Sequence, residues 1–253
     1  MKEQAYHLGL VSISFRKHTP REIAKAARNA GLTSIEWGSD VHAPPHDAEA
    51  LDMIVSLQQE YSLSCSSYGT YFRLGETSLD ELFAYIAAAK RLGTHVLRLW
   101  CGTKNGAEYT PEEREHLFLQ CKKAAEIATA ENVVLCMECH KSTYTQSLSH
   151  AIELMQEINS PHFRMYWQPF QWQDMAQNLA YAKAIAPYTY HVHVFHWKGK
   201  QRLSLEDGID EWREYLGLLP PPRTLLLEFM PDDHLQTLPH EVQILKKLIG
   251  DPQ

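Results

Sequence analysis

The sequence lacks the features of several large classes of protein, and each absence narrows the fold and function. No apolar run approaches the ~20 residues that cross a bilayer. The opening MKEQAYHLGL has no long apolar stretch, so we expect neither a membrane anchor nor a secretory leader. The five cysteines follow no extracellular spacing, which indicates a reducing cytoplasm. The net charge of −7 disfavours a nucleic-acid binder, because such proteins usually carry a basic face.

No segment marks a boundary between domains. The 253 residues contain no linker, low-complexity stretch or charge run, and the one proline cluster, Pro220-Pro221-Pro222, is short. Hydrophobic residues make up 44% and charged residues 22%, which is ordinary globular composition. A chain of this length buries a sizeable core without disulfides. We therefore predict one domain over residues 1–253.

Short apolar segments alternate with amphipathic helical segments along the chain. The apolar segments are predicted to end near Ser14, Trp37, Tyr68, Trp100, Glu138, Trp167, His193 and Glu228. These ends lie about 23 to 38 residues apart, which fits a strand followed by a crossover helix. Eight such units are enough to close a (β/α)8 TIM barrel. An open doubly wound sheet is the alternative, disfavoured because no Gly-rich nucleotide loop follows the first strand.

The helical segments carry start and stop signals. Thr19 and Thr110 each precede a proline and lie three residues before a glutamate, and Ser78 also has a glutamate three residues on. We predict a capping box at all three. Gly31 and Gly93 lie where a helix would stop, shortly before a new strand.

Polar side chains close four consecutive predicted strands, and strand ends form the active site in such barrels. They are Glu138, Gln168, His193 and Glu228. Two buried glutamates would repel each other and resist desolvation, and a divalent cation between them removes both problems. Carboxylate, amide and imidazole ligands favour Mn²⁺ or Mg²⁺, with Co²⁺, Fe²⁺ and Zn²⁺ as further options. The sequence therefore predicts one divalent metal ion at this end of the barrel.

Some of these residues also have a purely structural explanation. A lone strand-end glutamate such as Glu138 often pairs with an arginine or a helix N-terminus. His191 shares a strand face with His193, and we favour a packed core residue over a second partner of the metal. Cys136 and Cys139 are spaced C-x-x-C, but three residues along a strand point to opposite faces, so we expect both in the core.

The chain resembles the sugar phosphate isomerase/epimerase family, the xylose-isomerase-like barrels, over nearly its whole length. The segments that carry the resemblance are Leu8-Gly9-Leu10, Ile35-Glu36-Trp37, Val96-Leu97-Arg98, Glu138-Cys139-His140, His191-Val192-His193 and Leu226-Leu227-Glu228. No single segment is a specific signature. Their order and spacing together are characteristic.

The resemblance implies a metal held by Glu138, the Gln168 position, His193 and Glu228. It also implies an isomerase or epimerase that removes a proton next to the carbonyl of a small sugar, with Glu138 and Glu228 as catalytic carboxylates and an enediolate intermediate. The family usually has aspartate at the Gln168 position and histidine three residues on, where this chain has Gln171. Because one negative charge is lost, we expect weaker metal binding and a more Lewis-acidic ion, or loss of both metal and activity.

Several further side chains are candidates for binding hydroxyl, carboxylate or phosphate groups of the substrate. They are Glu36, His42, Tyr68, Arg98, Trp100, His140, Lys141 and Lys198. Surface ion pairing explains Lys198 and the further candidate Arg73 equally well. Tryptophans stack on sugar C–H faces, although packing is the commoner role for this residue.

Three other functions remain open at this point. A metal-dependent dehydratase of a sugar acid or inositol derivative would use the same metal and base. An apurinic-site endonuclease would need several zinc ions and a basic groove, which the acidic charge and the Gln168 and Gln171 pair disfavour. A non-enzymatic small-molecule binding protein would retain a decayed metal site. The expected partner is a sugar-like small molecule, with no nucleic acid and no membrane, and a homodimer is an option that the sequence does not decide.

Overall fold

Eight apolar segments form the parallel strands of a closed barrel in the computed structural model, which describes residues 5–250. The barrel strands are β1 (His7–Val11), β2 (Ser34–Gly38), β3 (Ser64–Leu74), β4 (Val96–Cys101), β5 (Val134–Glu138), β6 (Phe163–Trp167), β7 (Thr189–Val194) and β10 (Thr224–Leu227). Between β7 and β10 a small antiparallel hairpin consists of β8 (His196–Lys198) and β9 (Gln201–Leu203). The predicted single (β/α)8 barrel is confirmed.

Helices cover the outside of the barrel. They are α1 (Pro20–Asn29), α2 (Ala48–Tyr61), α3 (Leu79–Arg91), α4 (Pro111–Ala130), α5 (Leu148–Ile158), α6 (Met175–Ile185), α7 (Ile209–Leu218) and α8 (Leu238–Leu248). Each barrel strand pairs in parallel with the strands before and after it, and β10 closes the ring between β7 and β1. None of the helices in residues 5–250 is long and apolar enough to cross a bilayer.

Strand alternation separates the apolar core from the polar side chains of the site. Leu97 and Leu99 of β4 belong to the large core cluster, whereas Val96 belongs to a second, smaller cluster. Because side chains alternate along a strand, Arg98 shares the face of Val96. On β5, Glu138 likewise shares the face of Val134 and Cys136, which also belong to the smaller cluster. The polar site residues thus continue the inward-facing rows of the strands.

The structure corrects several strand boundaries. β1 ends at Val11, three residues before the predicted Ser14, because Ser12–Phe15 turns into a single 3-10 turn. β3 continues past Tyr68 to Leu74, with a register shift against β4 after Gly69. The hairpin β8–β9 was not predicted, although its two strands flank a two-residue turn that begins with glycine, a recognised hairpin signal.

Most of the predicted helix signals are confirmed. Thr19 and Thr110 form reciprocal capping boxes, and Gly31 and Gly93 have φ angles of 85° and 83° after their helices. The third box is wrong, because Ser78 caps α3 by accepting a hydrogen bond from the Asp80 backbone without the reciprocal bond. Residues 1–4 and 251–253 lie outside the described residues. The two ends of the predicted domain, and the first part of the segment examined for a leader, therefore also lie outside them.

Two glycines give a matched test of the packing inside the barrel. A Cβ at Gly9 would lie 2.5 Å from Ser34 Oγ and 2.7 Å from Leu226 Cδ2, whereas a Cβ at Gly217 in α7 meets nothing within 4 Å. We expect Gly9→Ala to lower the free energy of unfolding by about 1–3 kcal/mol through overpacking. Gly217→Ala should raise it by about 0.5–1 kcal/mol, because alanine is the better helix former.

Urea unfolding of both variants beside the unaltered protein measures these changes. Both variants add the same methyl group, so a general effect of that group would change the free energy of unfolding of both variants in the same direction. Equal changes at the two positions would contradict the close packing around Gly9.

Candidate metal centre and active site

Four side chains from neighbouring strand ends converge on one point in the barrel. His193 Nδ1 lies 3.1 Å from Gln168 Oε1, 3.4 Å from Glu228 Oε2 and 3.6 Å from Glu138 Oε1. Donor atoms of Glu138, His193 and Glu228 all lie within 4.8 Å of one another. All four side chains are buried. The residues predicted as metal ligands therefore lie together.

A hydrogen bond fixes which end of the Gln168 amide faces this cluster. Its Nε2 donates to the Cys139 carbonyl over 3.0 Å, so its Oε1 points towards His193. A cation requires the oxygen rather than the nitrogen of an amide. The orientation of Gln168 is therefore the one that a metal ligand needs, and it offsets in part the missing aspartate.

Glu138 is held on one of its two oxygens. Oε2 accepts hydrogen bonds from Arg98 Nη1 at 2.9 Å and Trp100 Nε1 at 2.6 Å, which leaves Oε1 facing His193. Arg98 is 2% exposed and also donates from Nε to Glu36 Oε1 at 3.1 Å. Arg98 therefore holds both carboxylates in place. Removing one partner of such a buried ion pair costs about 3–5 kcal/mol.

Glu36 orients the imidazole from the opposite side. Glu36 Oε2 lies 3.4 Å from His193 Nε2 and accepts a hydrogen bond from Ser67 at 2.9 Å. Ser67 Oγ in turn accepts a hydrogen bond from the Tyr166 hydroxyl group at 2.7 Å. A carboxylate behind a ligating histidine favours the proton on that nitrogen and leaves the other free for a cation. Nδ1 of His193 is thus the atom that would bind a cation.

The backbone turns sharply directly after Glu228. Phe229 has a φ of 53°, a left-handed conformation that is rare for a large side chain. Its N–H donates to Ser14 Oγ at 2.9 Å, which holds the turn against the loop after β1. Strained residues of this kind cluster at functional sites, and here the turn fixes the direction in which Glu228 leaves β10.

The charges of the buried groups fit a divalent cation. Glu36, Glu138 and Glu228 carry three negative charges, and Arg98 carries one positive charge, so two negative charges remain when His193 is neutral. Buried charge without compensation is strongly unfavourable. One divalent ion among Glu138, Gln168, His193 and Glu228 balances this excess, and oxygen and imidazole donors suit Mn²⁺, Mg²⁺ and similar ions.

The same charge excess shifts the pKa values of the site. Burial alone would lower the pKa of His193, but the carboxylates of Glu228 and Glu36 outweigh burial and raise it to about 10. Burial raises the pKa of Glu228 to about 7, with the nearby Glu138 adding to the effect. Burial would also raise the pKa of Glu138, but Arg98 holds it well below its usual range. His193 and Glu228 thus hold their protons more tightly than usual when no cation balances the charge.

A cavity of about 350 Å³ lies over the cluster, and we call it the active-site cavity. Its floor contains Arg98, Glu138, Gln168 and Glu228. The remaining lining residues are Ile13, Arg16, Tyr71, Trp100, His140, Lys141, Pro169, Phe170, Gln171, Trp172, Phe195, Trp197 and Phe229. The volume suits a small molecule.

The predicted substrate-side residues divide into three groups. Arg98, Trp100, His140 and Lys141 line the active-site cavity. Lys198 is exposed on the hairpin and lines a different cavity.

Three other predicted contacts lie away from the active-site cavity and have structural partners. His42 faces Ser12 Oγ at 3.0 Å and the His18 carbonyl at 3.2 Å. Tyr68 donates to the Ala43 carbonyl. Glu36 lies beneath the cluster, bonded to Arg98 and Ser67. Because none of the three lines the active-site cavity, the geometry does not favour the predicted contact of Glu36, His42 and Tyr68 with substrate.

Arg16 and Tyr71 reach the cavity although the sequence did not single them out. Arg16 contacts Tyr71 and Asp40 at the rim. It follows the first strand, so the strand-end rule could have found it once β1 was known to end at Val11. Tyr71 was concealed by the continuation of β3 beyond its predicted end.

His191 has the structural role that the sequence favoured. His191 is buried, faces the carbonyls of Tyr190 and Ser66, and packs edge-on against Tyr166. Asp174 caps α6 by accepting a hydrogen bond from Gln177 and does not join the cluster. Arg73, a further candidate in the sequence, lies over the Trp100 ring at 4.3 Å and donates to the Gly102 carbonyl.

Fold and site together define a class of protein that the sequence pattern anticipated. The xylose isomerase-like TIM barrel family matches residues 24–248, and the chain belongs to this family. One relative is 3-dehydroshikimate dehydratase of Bacillus anthracis, which is 21% identical over 196 residues, or 73% of this chain and 69% of that protein.

Solved structures with the same fold include a dehydratase and sugar epimerases. The probable 3-DHS dehydratase AsbF of Bacillus anthracis has a TM-score of 0.82 at 18% identity, covering 95% of this chain and 98% of that chain. D-allulose 3-epimerase of Methylomonas sp. has a TM-score of 0.74 at 14% identity, covering 97% and 98%. D-psicose 3-epimerase of Clostridium cellulolyticum H10 has 0.69 at 10%, covering 96% and 98%. The relatives are enzymes, and the barrel serves more than one reaction.

We expect binding of a divalent cation to tighten as the pH rises. The cation must displace the proton of His193, whose pKa is raised to about 10, and below about 7 also that of Glu228. Above pH 7, Mn²⁺ affinity should therefore rise about tenfold per pH unit, with release of about one proton. Titration calorimetry in buffers of different protonation enthalpy measures both quantities.

Elemental analysis of protein purified without chelator or affinity metal provides the control. We expect roughly one equivalent of metal in the unaltered protein and none in Glu138→Ala/Glu228→Ala. The exposed pair Glu112→Ala/Glu115→Ala on α4 should keep the metal. Affinity independent of pH, or metal retained without Glu138 and Glu228, would contradict this site.

Proposed function

We propose that this protein is a metal-dependent dehydratase that acts on a small hydroxylated ketone carrying a carboxylate. The observation that carries the proposal is the arrangement of Glu138, His193 and Glu228 beneath a cavity whose other charged lining residues are cationic. This order reverses the expectation from the sequence, in which isomerisation or epimerisation came first. Both reactions begin with removal of a proton next to a carbonyl.

The charge of the cavity favours an anionic substrate. Arg16 and Lys141 lie on its wall, and Arg98 lies in its floor. The only acidic side chains among its lining residues are Glu138 and Glu228, which a cation would neutralise. Arg16 already contacts Asp40, whereas Lys141 forms no salt bridge within residues 5–250. Lys141 is therefore the side chain that we assign to the substrate carboxylate.

The two glutamates differ in their freedom to move a proton. Glu138 accepts hydrogen bonds from Arg98 and Trp100 on one oxygen. These bonds hold the carboxylate in place, so we assign Glu138 as a metal ligand and not as the base. Glu228 faces His193 and the cavity without such donors, so we assign it as the base. A bound divalent ion would polarise the carbonyl and stabilise the negative charge that forms when the proton leaves.

Elimination requires that removal of the proton be followed by loss of a hydroxyl group from the next carbon. Glu228 takes the proton from the carbon beside the carbonyl, and the bond between the next carbon and its hydroxyl group breaks. That hydroxyl leaves with the proton from Glu228 as water, so the enzyme returns to its starting state. His140 lines the cavity, and its Nδ1 bonds to the Lys141 carbonyl, which leaves Nε2 to hold the departing hydroxyl.

Epimerisation or isomerisation is the second candidate. The observation that favours it is that both carboxylates lie against the same imidazole, at 3.6 Å and 3.4 Å from His193 Nδ1. Two carboxylates on opposite sides of a substrate could remove and return a proton on different faces. The D-allulose and D-psicose 3-epimerases share this fold. We rank this candidate second because hydrogen bonds from Arg98 and Trp100 hold Glu138 in place, which disfavours it as a second base.

The endonuclease and the binding-protein alternatives receive less support. Among the described residues, one group of His, Asp, Glu and Cys side chains converges, and it has three members, too few for a cluster of several zinc ions. The fit of charge and geometry to a divalent ion favours a working site over a decayed one.

Product analysis of 3-dehydroshikimate and a panel of ketoses incubated with Mn²⁺-loaded protein tests the proposal. We expect loss of one water from 3-dehydroshikimate or a related keto acid, seen by mass, with no change of mass in any ketose. Glu228→Gln should lower kcat by at least about 10³-fold, because the base is lost. Lys141→Met should raise KM more than it lowers kcat.

The exposed Glu112→Gln on α4 serves as the matched control and should retain full activity. Conversion of a ketose to its epimer, with mass conserved and keto acids untouched, would replace the dehydratase by the second candidate. An unchanged rate in Glu228→Gln would remove the assigned base.

A further inference from the structure

A second cavity of about 320 Å³ adjoins the active-site cavity. It lies between the segment after β6, the β8–β9 hairpin and α7. The two cavities share the lining residues Pro169, Phe170, Gln171, Phe195 and Trp197. Its volume is at the lower end of the range of about 300–1,000 Å³ that is typical of ligand pockets. No residue that lines only this cavity takes part in the proposed reaction.

Polar atoms without partners concentrate at this second cavity. Five buried side-chain nitrogen or oxygen atoms among the described residues have no hydrogen-bond partner, and three belong to residues that line it. These three are His196 Nε2, Trp197 Nε1 and Gln173 Oε1. Leaving such an atom unsatisfied costs about 1–3 kcal/mol, so the cluster needs an explanation. A ligand that both donates and accepts hydrogen bonds supplies one.

The imidazole of His196 is held in place by close packing. A Cβ at Gly208, which precedes α7, would lie 2.3 Å from His196 Nδ1 and 2.6 Å from its Cγ. Only glycine allows the ring to approach the backbone so closely. His196 is 5% exposed. The ring is therefore a fixed part of the cavity wall.

The remaining lining residues define the kind of ligand. Lys198 is one cation, and it is matched by Glu211 and by Asp174, whose carboxylate already caps α6. An anion such as phosphate would meet no excess of positive charge here. Phe170 and Tyr215 add aromatic side chains to the wall. Aromatic faces with neutral donors and acceptors suit an uncharged, hydroxylated ring.

We propose that the second cavity is a subsite for an uncharged, hydroxylated ring of the sugar type that belongs to the same substrate molecule as the reacting carbonyl. The reacting part lies over Glu138, His193 and Glu228, and the distal ring contacts His196 and Trp197. The assignment of the reacting part rests on the proposed function. The shared wall at Trp197 and Phe170 makes the two positions neighbours. The natural substrate would then carry this distal ring in addition to the small hydroxylated keto acid unit on which the reaction takes place.

The six tryptophans of the chain report on the two cavities separately. Trp100 and Trp172 line only the active-site cavity, Trp212 lines only the second cavity, and Trp197 lines both. Trp37 lines neither and serves as an internal reference. The indole N–H signals of ¹⁵N-labelled protein, assigned by single Trp→Phe substitutions, follow titrations with methyl glucoside and with the glycosylated acids cellobionate, maltobionate and isomaltobionate. Each of these acids joins one neutral glucose ring to a hydroxylated chain that ends in a carboxylate.

We expect methyl glucoside to shift the signals of Trp212 and Trp197. At least one glycosylated acid should shift Trp212 and Trp172 with a single Kd at least about tenfold lower, because the ring and the acid bind as parts of one molecule. Shifts confined to Trp100 and Trp172, no shift of Trp212 with any ligand, or no gain from any glycosylated acid would each overturn the proposal.

Substitutions localise the binding. His196→Phe keeps a ring against Gly208 but removes both nitrogens, and we expect at least about a tenfold rise in the Kd reported by Trp212. Gln173→Leu, which removes the amide oxygen, should weaken binding in the same direction even if His196→Phe does not fold. The exposed His116→Phe on α4 is the matched control. Binding unaffected by both substitutions would remove the subsite.

A catalytically disabled variant separates this proposal from the proposed function. Glu138→Gln/Glu228→Gln removes the metal ligands but leaves the second cavity intact. A methyl glucoside shift of Trp212 that persists in this variant supports the subsite whatever the reaction proves to be. Loss of that shift in a variant that melts at the same temperature as the unaltered protein would count against it.

Discussion

The two excess negative charges buried at the C-terminal end of the barrel constrain everything around them. Glu36, Glu138 and Glu228 lie together, and Arg98 balances one of them. The interior cannot hold the remainder uncompensated, so either protons or a divalent cation must be present. Without the cation, His193 and Glu228 take up protons, as their raised pKa values indicate. Charge balance, as much as the geometry of the donor atoms, thus favours a divalent cation at this position.

The surrounding structure serves to keep this charge in a fixed place. Arg98 and Trp100 bind one oxygen of Glu138, and Glu36 stands behind His193. The amide of Gln168 is turned by the Cys139 carbonyl. Groups that support ligands in this way set metal affinity almost as strongly as the ligands themselves. The cluster is therefore organised before any cation binds, which lowers the cost of capturing one.

The sequence was sufficient for the barrel and for the convergence of Glu138, Gln168, His193 and Glu228 at its C-terminal end, because both depend on local periodicity. Apolar runs and caps recur once per unit, and Glu138, His193 and Glu228 each close such a run. Partners distant in sequence could not be found in this way. Nothing local to Glu36 shows that it meets His193, which lies 157 positions further along the chain. The hairpin after β7 was missed because its strands are three residues long, shorter than a periodicity test resolves.

The replacement of the usual aspartate by Gln168 also bears on the substrate. With a fourth carboxylate at that position, a divalent cation would leave the site negative, and an anionic substrate would be repelled from it. With Gln168, the same cation leaves Glu36, Glu138, Glu228 and Arg98 close to neutral together. The cationic wall of the cavity then acts on the substrate without opposition from the floor. We therefore infer that Gln168 would admit a carboxylate above a bound cation, which is why the reacting group that we propose for this cluster carries an acid.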